Sequence, residues 1–234
     1  MTLKISFALF LVMVCVGSVW GGWVEALDAA QQGDYERELK ELRPLVAAGH
    51  AGAQYMLGGM YDSGDGVPKN EGEALRLYRL AAAQGYEGAE FTLGHCYKTG
   101  RLVKKDLKEA FRWYTLAAQK GLAGAQVELG VMYSRGEGTT QDYQLAVKWF
   151  TRAAEEGNAL GMLNLGLSYE IGQGVPQDFV LAHKWYNLSA AHETKEAFQE
   201  DPERLRARVQ AQMTPAQIAD AQRLAREWKP KISP

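Results

Sequence analysis

GHAGAQYMLGGMYDSGDGVPKNEGEALRLYRLAAAQ, residues 49–84, decides the fold, because the chain repeats this pattern three more times up to residue 192. The positions that keep the same residue in every copy at a spacing of 36 include Gly58, Gly94, Gly130 and Gly166, and Tyr61, Tyr97, Tyr133 and Tyr169. A fixed period of this length is typical of a solenoid, in which one supersecondary unit stacks on copies of itself. The spacing therefore predicts an all-α array of four copies, over residues 49–84, 85–120, 121–156 and 157–192.

Each copy divides into two helices, A and B, at recurring glycine and polar residues. In the first copy Ala53, Leu57 and Met60 share one face of helix A, and Gly64 follows them as a residue suited to the left-handed C-cap conformation. Asn70 then opens helix B as an N-cap whose side chain accepts a hydrogen bond from the first turn. The apolar residues of helix B recur at i, i+3, i+4, i+7 and i+8, a wide stripe that predicts burial along one face.

The recurring glycine of helix A lies in the middle of the helix, where glycine costs about 1 kcal/mol relative to alanine. Four such glycines indicate a packing requirement. We expect a neighbouring helix to approach at these points with small side chains, such as the pairs Ala81-Ala82 and Ala117-Ala118. Aromatic side chains beside them would fill the remaining space.

The segments on either side of the array are predicted to close its two ends. Residues 22–48 have the spacing of a degenerate helix pair, and residues 193–234 include two amphipathic segments and a short tail. In the second segment Thr214 is an N-cap, Pro215 takes the first helical position and Gln217 completes a capping box. Terminal caps of this kind are required for a solenoid to be soluble.

The first 21 residues resemble a secretory signal peptide more than a membrane span. Lys4 precedes an apolar run from Ile5 to Trp20, which fits the apolar region of a signal better than the roughly 20 residues that a span requires. We expect cleavage after Gly21, which gives a periplasmic or secreted chain. An uncleaved anchor remains the alternative, and it would be the only membrane contact.

Composition argues against nucleic acid as a partner. The formal net charge is −2, charged residues make up 23% of the chain, and the two signs are mixed along the helices, so there is no basic stripe.

The sequence offers no catalytic or metal-binding set. The four histidines are spread over the array, and none has a second ligand at metal-binding spacing: His50, His95, His183 and His192. His95 and Cys96 are adjacent, but side chains at i and i+1 of a helix do not face each other. If Cys15 leaves with the signal, Cys96 is the only remaining cysteine, and a packing role is favoured for it. We therefore expect no cofactor, no metal and no catalytic residues.

The repeated motif is similar to that of the Sel-one-like repeat family, a relative of the tetratricopeptide repeat. The second copy supplies the motif as Ala89, Leu93, Gly94, Tyr97, Gly100, Asp106, Ala110, Trp113, Tyr114, Ala117, Ala118 and Gly121. The resemblance implies a right-handed α/α superhelix whose inner wall, lined by helix A, binds proteins or peptides. It also implies an alternative function, because some secreted members with one disulfide per repeat are associated with penicillin binding or hydrolysis. This chain lacks those cysteine pairs.

Residues that vary between copies are the candidates for contact with a partner, because those that repeat build the scaffold. Three offsets on one face of helix A, at i, i+3 and i+7, vary in this way: Met56, Gly59 and Ser63; Thr92, His95 and Thr99; Glu128, Val131 and Arg135; Asn164, Leu167 and Ile171. We call this set the variable strip, and we expect it to hold an extended or helical peptide segment. Ordinary variation on a solvent-facing surface is the other interpretation.

Two classes of function follow. The favoured one is a non-enzymatic interaction scaffold of the bacterial cell envelope with a protein or peptide partner. The alternative is a hydrolase of cell-wall or β-lactam amides, which only the family resemblance supports. A scaffold tethered to the inner membrane would result if the signal were not cleaved.

Overall fold

The computed structural model describes residues 22–192 and 201–231, and within these ranges it contains helices and no strand. The helices, numbered in chain order, are α1 (22–32 as far as described), α2 (Tyr35–Ala47), α3 (Ala51–Ser63), α4 (Glu71–Ala83), α5 (Glu87–Thr99), α6 (Leu107–Gln119), α7 (Ala123–Arg135), α8 (Tyr143–Glu155), α9 (Ala159–Ile171), α10 (Phe179–His192), α11 (Pro202–Gln210) and α12 (Pro215–Glu227). The predicted signal peptide, residues 1–21, lies outside the described residues. Among the helices described, none is long and apolar enough to cross a bilayer.

The chain forms two compact units, and the division falls between Leu93 and Gly94, inside α5. In the first unit α3 packs against both α2 and α4. Leu42, Leu57 and Leu77, one from each of these helices, are buried together in one apolar cluster. The segment before the first copy therefore shares a core with that copy.

In the second unit each helix from α6 to α10 packs against the next one along the chain. Phe150, Met162 and Trp185, which come from α8, α9 and α10, belong to one buried cluster. Successive copies also meet through their loops. A Cβ atom at Gly138 would lie 2.1 Å from the carbonyl oxygen of Leu107, and φ at this glycine is +72°, so only glycine fits there.

The helix ends follow the predicted capping chemistry. Gly64, Gly136 and Gly172 are left-handed C-caps whose N–H groups donate to carbonyls in the last turn of α3, α7 and α9. At the start of α4, Oδ1 of Asn70 accepts a hydrogen bond of 3.1 Å from the backbone N–H of Glu73. Such caps are worth about 1 kcal/mol each, and they fix where each helix of a copy begins and ends.

The mid-helix glycines are packing sites, but the group that approaches them is not the one expected. A Cβ atom at Gly130 would lie 2.5 Å from the ring of Phe150, and one at Gly166 would lie 2.7 Å from the ring of Tyr186. The aromatic side chain of helix B in the same copy therefore covers the glycine, and the expectation of an alanine pair at this point was wrong. An alanine pair is instead used at Gly161, where a Cβ atom would lie 2.7 Å from the Cβ atom of Ala153.

Helices α11 and α12 both pack against α10, the last helix of the fourth copy. Leu205 and Val209 of α11 are fully buried in a cluster with Tyr186. The ring of Trp228, which follows α12, meets the ring of Trp185 edge-on at a centroid distance of 6.2 Å. These contacts remove the apolar surface of α10 from solvent at the end of the array.

Candidate interaction surface

In the first unit, the variable strip comprises Met56, Gly59, Ser63 and Thr92, of which Ser63 is exposed and the other three are half-buried. Met56 packs against the apolar cluster that contains Leu57. Its side chain therefore contributes to packing and is only partly available to a partner.

In the second unit, the part of the variable strip on α5 and α7 is mostly occupied by interactions within the chain. His95 and Thr99 are exposed, and the hydroxyl of Thr99 donates to the carbonyl of His95 at 2.8 Å. Glu128 forms an ion pair with Lys98. Arg135 is exposed, with a guanidinium nitrogen 3.8 Å from a carboxylate oxygen of Glu137. The remaining residue, Val131, is half-buried and packs against the cluster that contains Phe150.

The three strip residues on α9 line a groove of about 170 Å³. We call it the third-copy groove, and its walls come from α7, α8, α9 and the loop that follows α9: Ser134, Tyr143, Ala146, Phe150, Asn164, Leu167, Ser168, Ile171 and Gln173. Ile171 is 58% exposed, whereas Phe150 is 4% exposed. The groove thus has an aromatic floor and an aliphatic side chain that reaches solvent.

Sequence reasoning did not find Ser134, Tyr143 or Phe150, because it considered only one face of helix A. A comparison between copies would have pointed to two of them. Ser134 and Phe150 hold the positions that Glu170 and Tyr186 hold in the next copy, 36 residues later. The third copy is therefore unusual at both positions.

Most of the polar groups in the groove already donate to carbonyls of their own helices. The hydroxyl of Ser134 donates to Val131 at 2.8 Å, and the hydroxyl of Ser168 donates to Asn164 at 2.9 Å. One N–H of the Asn164 amide donates to the carbonyl of Leu160 at 2.8 Å. The Asn164 side chain has one further N–H and an oxygen, so it retains a donor and an acceptor for a ligand.

Tyr143 also has an unused hydrogen-bond donor. Its hydroxyl oxygen accepts a hydrogen bond of 2.9 Å from Nε2 of Gln141. The hydroxyl hydrogen remains available, because a phenol both donates and accepts. The groove therefore offers hydrogen bonds without offering a formal charge, since all nine of its lining side chains are uncharged.

In the second and fourth copies, charged side chains occupy the region that corresponds to this groove. Lys98 and Glu128 form an ion pair between α5 and α7. In the fourth copy the hydroxyl of Tyr186 donates to Glu170 at 2.5 Å, and both oxygens of Glu170 accept from Arg208 of α11 at 2.8 Å. Burial, together with the Glu170 carboxylate, raises the pKa of Tyr186 far above its usual range, so its hydroxyl stays protonated.

Neither a metal-binding cluster nor a His95–Cys96 couple is present among the described residues. No cluster of three or more His, Cys, Asp or Glu side chains capable of holding a metal occurs among them. Cys96 is fully buried whereas His95 is exposed, so the adjacent pair does not form a thiol–imidazole couple. The third-copy groove is also smaller than the 300 to 1,000 Å³ that small-molecule and cofactor sites usually occupy.

A larger depression of about 540 Å³ lies along α2 in the first unit. Its lining consists of the α2 N-cap Asp34 and five residues of α2, among them Arg37, Lys40 and Arg43. Arg37 is already paired with Asp28 at 2.9 Å. The lining residues that the structure describes all come from one helix and its cap, so together they form a charged helix face.

Solved structures with the same fold include two that are similar in sequence at 28–29% identity. A Sel1 repeat protein from Oxalobacter formigenes has a TM-score of 0.74 and 28% identity, over 88% of this chain and 85% of that one. A protective antigen of uropathogenic Escherichia coli strains, described as having an SLR fold, has a TM-score of 0.77 and 29% identity. That match covers 91% of this chain but only 45% of the antigen.

An immunity protein from Pseudomonas aeruginosa, 21% identical with a TM-score of 0.52 over 86% of this chain and 83% of that one, shares the fold. These matches confirm the predicted fold class, an α/α solenoid. No curated protein matches the chain. The family model for the Sel1 repeat matches residues 51–86, 88–122, 123–158 and 159–193, more than half of the sequence. The chain therefore belongs to the Sel1 repeat family.

Proposed function

We propose that this chain is a non-enzymatic scaffold of the bacterial cell envelope that holds a peptide or protein segment along the variable strip. Sel1 repeat proteins are generally protein-interaction scaffolds. Repeat arrays provide extended surfaces on which the scaffold residues recur and the contact residues vary.

One observation carries the proposal: in the second unit, variable residues of helix A reach solvent beside a groove that has unused hydrogen-bonding groups. Ile171 is largely exposed, and Asn164 retains a donor and an acceptor. A peptide needs such groups, because its backbone loses hydrogen bonds to water when it binds.

The proposed location rests on the amino-acid sequence of the first 21 residues. An apolar run from Ile5 to Trp20 after Lys4 has the length of a signal peptide, and cleavage after Gly21 would release the chain into the periplasm or the medium. A partner would then be another envelope or extracellular protein.

The hydrolase alternative rests on the family resemblance alone, and no nucleophile with a base and an orienting group has been assigned to support it. A chromogenic β-lactam assay on the purified protein tests this point directly. We expect no turnover above the buffer rate. Turnover that copurifies with the protein would contradict the proposal that the scaffold is non-enzymatic.

Affinity capture from the envelope fraction, followed by mass spectrometry, tests the scaffold proposal. The wild-type chain should retain at least one partner that the double variant Glu128→Gln/Arg135→Gln retains less well. Leu116→Gln changes an exposed residue of α6 outside the strip and is the matched control. If the double variant retains every partner at wild-type level, the variable strip is not the docking surface.

A further inference from the structure

The third-copy groove exists because the third copy lacks a hydrogen-bonded pair of polar side chains that the first and fourth copies have. In the first copy the hydroxyl of Tyr78 donates to a carboxylate oxygen of Asp62 at 3.2 Å. In the fourth copy Tyr186 donates to Glu170 in the same way. The third copy has Phe150 in place of the tyrosine.

The acidic partner is missing from the third copy too. Ser134 stands where Asp62 and Glu170 stand in the other copies. In the second copy the same position belongs to Lys98, which is paired with Glu128. Thirty-six residues later, Ser134 of the third copy and Asn164 of the fourth copy hold the positions of this ion pair, and both are shorter and uncharged. The space that side chains fill elsewhere is therefore open in the third copy, which is where the groove lies.

We propose that the third-copy groove binds a neutral peptide segment by taking up one apolar side chain of the size of phenylalanine. This inference rests on the proposed function and specifies the partner that one part of the variable strip accepts.

The size and lining of the groove set the size of the peptide side chain that it takes up, which we call the anchor side chain. A cavity of about 150 Å³ lined by apolar side chains holds one benzene molecule. The groove measures about 170 Å³, and Phe150, Leu167 and Ile171 give it an apolar lining. It thus accommodates one ring but neither a fused cofactor nor a folded element.

The charge of the lining sets the chemistry of the anchor. A charged side chain that entered the groove would lose hydration and meet no opposite charge among the nine lining residues, an arrangement that proteins avoid. The peptide groups beside the anchor would meet the free hydroxyl hydrogen of Tyr143 and the free amide groups of Asn164. The segment is therefore neutral at the anchor and hydrogen-bonded through its backbone.

Chemical-shift mapping with defined peptides tests the proposal on the full mature chain. The probe is Ac-Ser-Gly-Phe-Gly-Ser-NH2, and the matched peptides carry Glu or Lys in place of Phe. We expect the Phe peptide to shift the amide signals of Asn164, Leu167 and Ile171, with an affinity at least tenfold higher than that of either charged peptide. Equal binding of the three peptides, or no shift at these residues, overturns the proposal.

The double variant Ser134→Glu/Phe150→Tyr fills the groove with the pair that the fourth copy already uses. Because the same fold accepts that pair 36 residues later, the variant should keep its helicity and lose at least tenfold in affinity for the Phe peptide. Ile171→Glu, at an exposed position, provides a second test that does not alter the floor. Leu116→Glu places the same charge at an exposed leucine outside the groove, and it should bind as the wild type does. Undiminished binding to either groove variant overturns the proposal.

The outcomes separate this inference from the broader one. If captured envelope partners depend on Glu128 and Arg135 while the Phe peptide leaves the groove unshifted, only the groove proposal is wrong. If neither capture nor peptide binding depends on the strip, both are wrong.

Discussion

The absence of a side chain at Gly130 lets the two helices of the third copy pack closely. The ring of Phe150 lies so close that an added Cβ atom would stand 2.5 Å from its Cε1 atom. Phe150 is buried and its ring lies directly on the glycine, so a leucine side chain at position 130 would have to displace the ring. We predict that Gly130→Leu lowers the free energy of unfolding by at least about 2 kcal/mol, because overpacking a tight core costs typically 1–3 kcal/mol and outweighs the gain of about 1 kcal/mol in helix propensity.

Urea unfolding followed by circular dichroism measures this effect. Gly72→Ala is the control, because Gly72 is an exposed helical glycine whose added Cβ atom would meet only the Asn70 side chain at 3.5 Å. That variant should be as stable as the wild type or slightly more stable. An unchanged midpoint for Gly130→Leu would contradict the packing of the ring on the glycine.

His183 makes the packing of α11 sensitive to pH. It is buried on α10, its Nε2 lies 3.3 Å from Oε1 of Gln210, and its Nδ1 has no hydrogen-bond partner among the described residues. Burial lowers the pKa of His183, the nearby Arg206 lowers it further, and the Gln210 contact opposes both effects. The native chain therefore takes up this proton at lower pH than the unfolded chain does.

The contribution of neutral His183 to the free energy of unfolding should consequently be fully present above about pH 6.5. It should fall as the pH drops from there towards the lowered pKa of His183, by at most about 1.4 kcal/mol per pH unit. His183→Gln should flatten the dependence of Tm on pH between 7.5 and 5.5, and His192→Gln on the same helix controls for the loss of a histidine. The pKa of Glu38 is raised by burial, so its contribution has the opposite sign and is the same in both variants. If His183→Gln leaves the slope of Tm against pH unaltered, the pH dependence does not come from His183.

Among the helices, α12 is held in place by contacts of small and aromatic side chains, and one buried charge should break these contacts. Ala225 is buried in the cluster that contains Trp185 and Leu188. We predict that Ala225→Asp weakens the docking of α12 by at least about 2 kcal/mol, because a carboxylate would be buried without a partner. Hydrogen exchange of the α12 amides should then accelerate about thirtyfold, whereas Ala219→Asp, at an exposed position on the same helix, should leave it unchanged. Equal protection in both variants would show that α12 docks by other contacts.

The elements were predictable from the sequence because their signals are local. Gly64 and Asn70 mark helix ends through their own backbone and side-chain chemistry, and the structure shows both caps. The partner of Gly130 was not predictable in the same way, because it depends on which side chain of α8 crosses α7. The groove was harder still to predict, because its walls come from three helices. That Ser134 and Asn164 line the same groove does not follow from the period of either helix.

For the whole molecule, the repeats and their exceptions have separate roles. Positions that recur, such as Gly130 and Gly166, are explained by packing, and they specify the same helix pair each time. Positions that depart from the pattern, such as Phe150, change what a copy exposes while the fold is kept. Specificity in this chain is therefore expected where a copy differs from its neighbours.

The location of the whole molecule depends on the first 21 residues, and a single charge tests it. Leu11 lies in the middle of the apolar run from Ile5 to Trp20. An arginine at the centre of such a segment costs roughly 2.5–3.5 kcal/mol during membrane insertion, so we predict that Leu11→Arg retains the chain in the cytoplasm in its full-length form. Thr2→Lys adds a positive charge before the apolar run and should leave export intact. Cell fractionation and intact mass measure both variants, and the exported wild-type chain should begin at Gly22. An exported chain that still carries residues 1–21 would instead identify the segment as a membrane anchor.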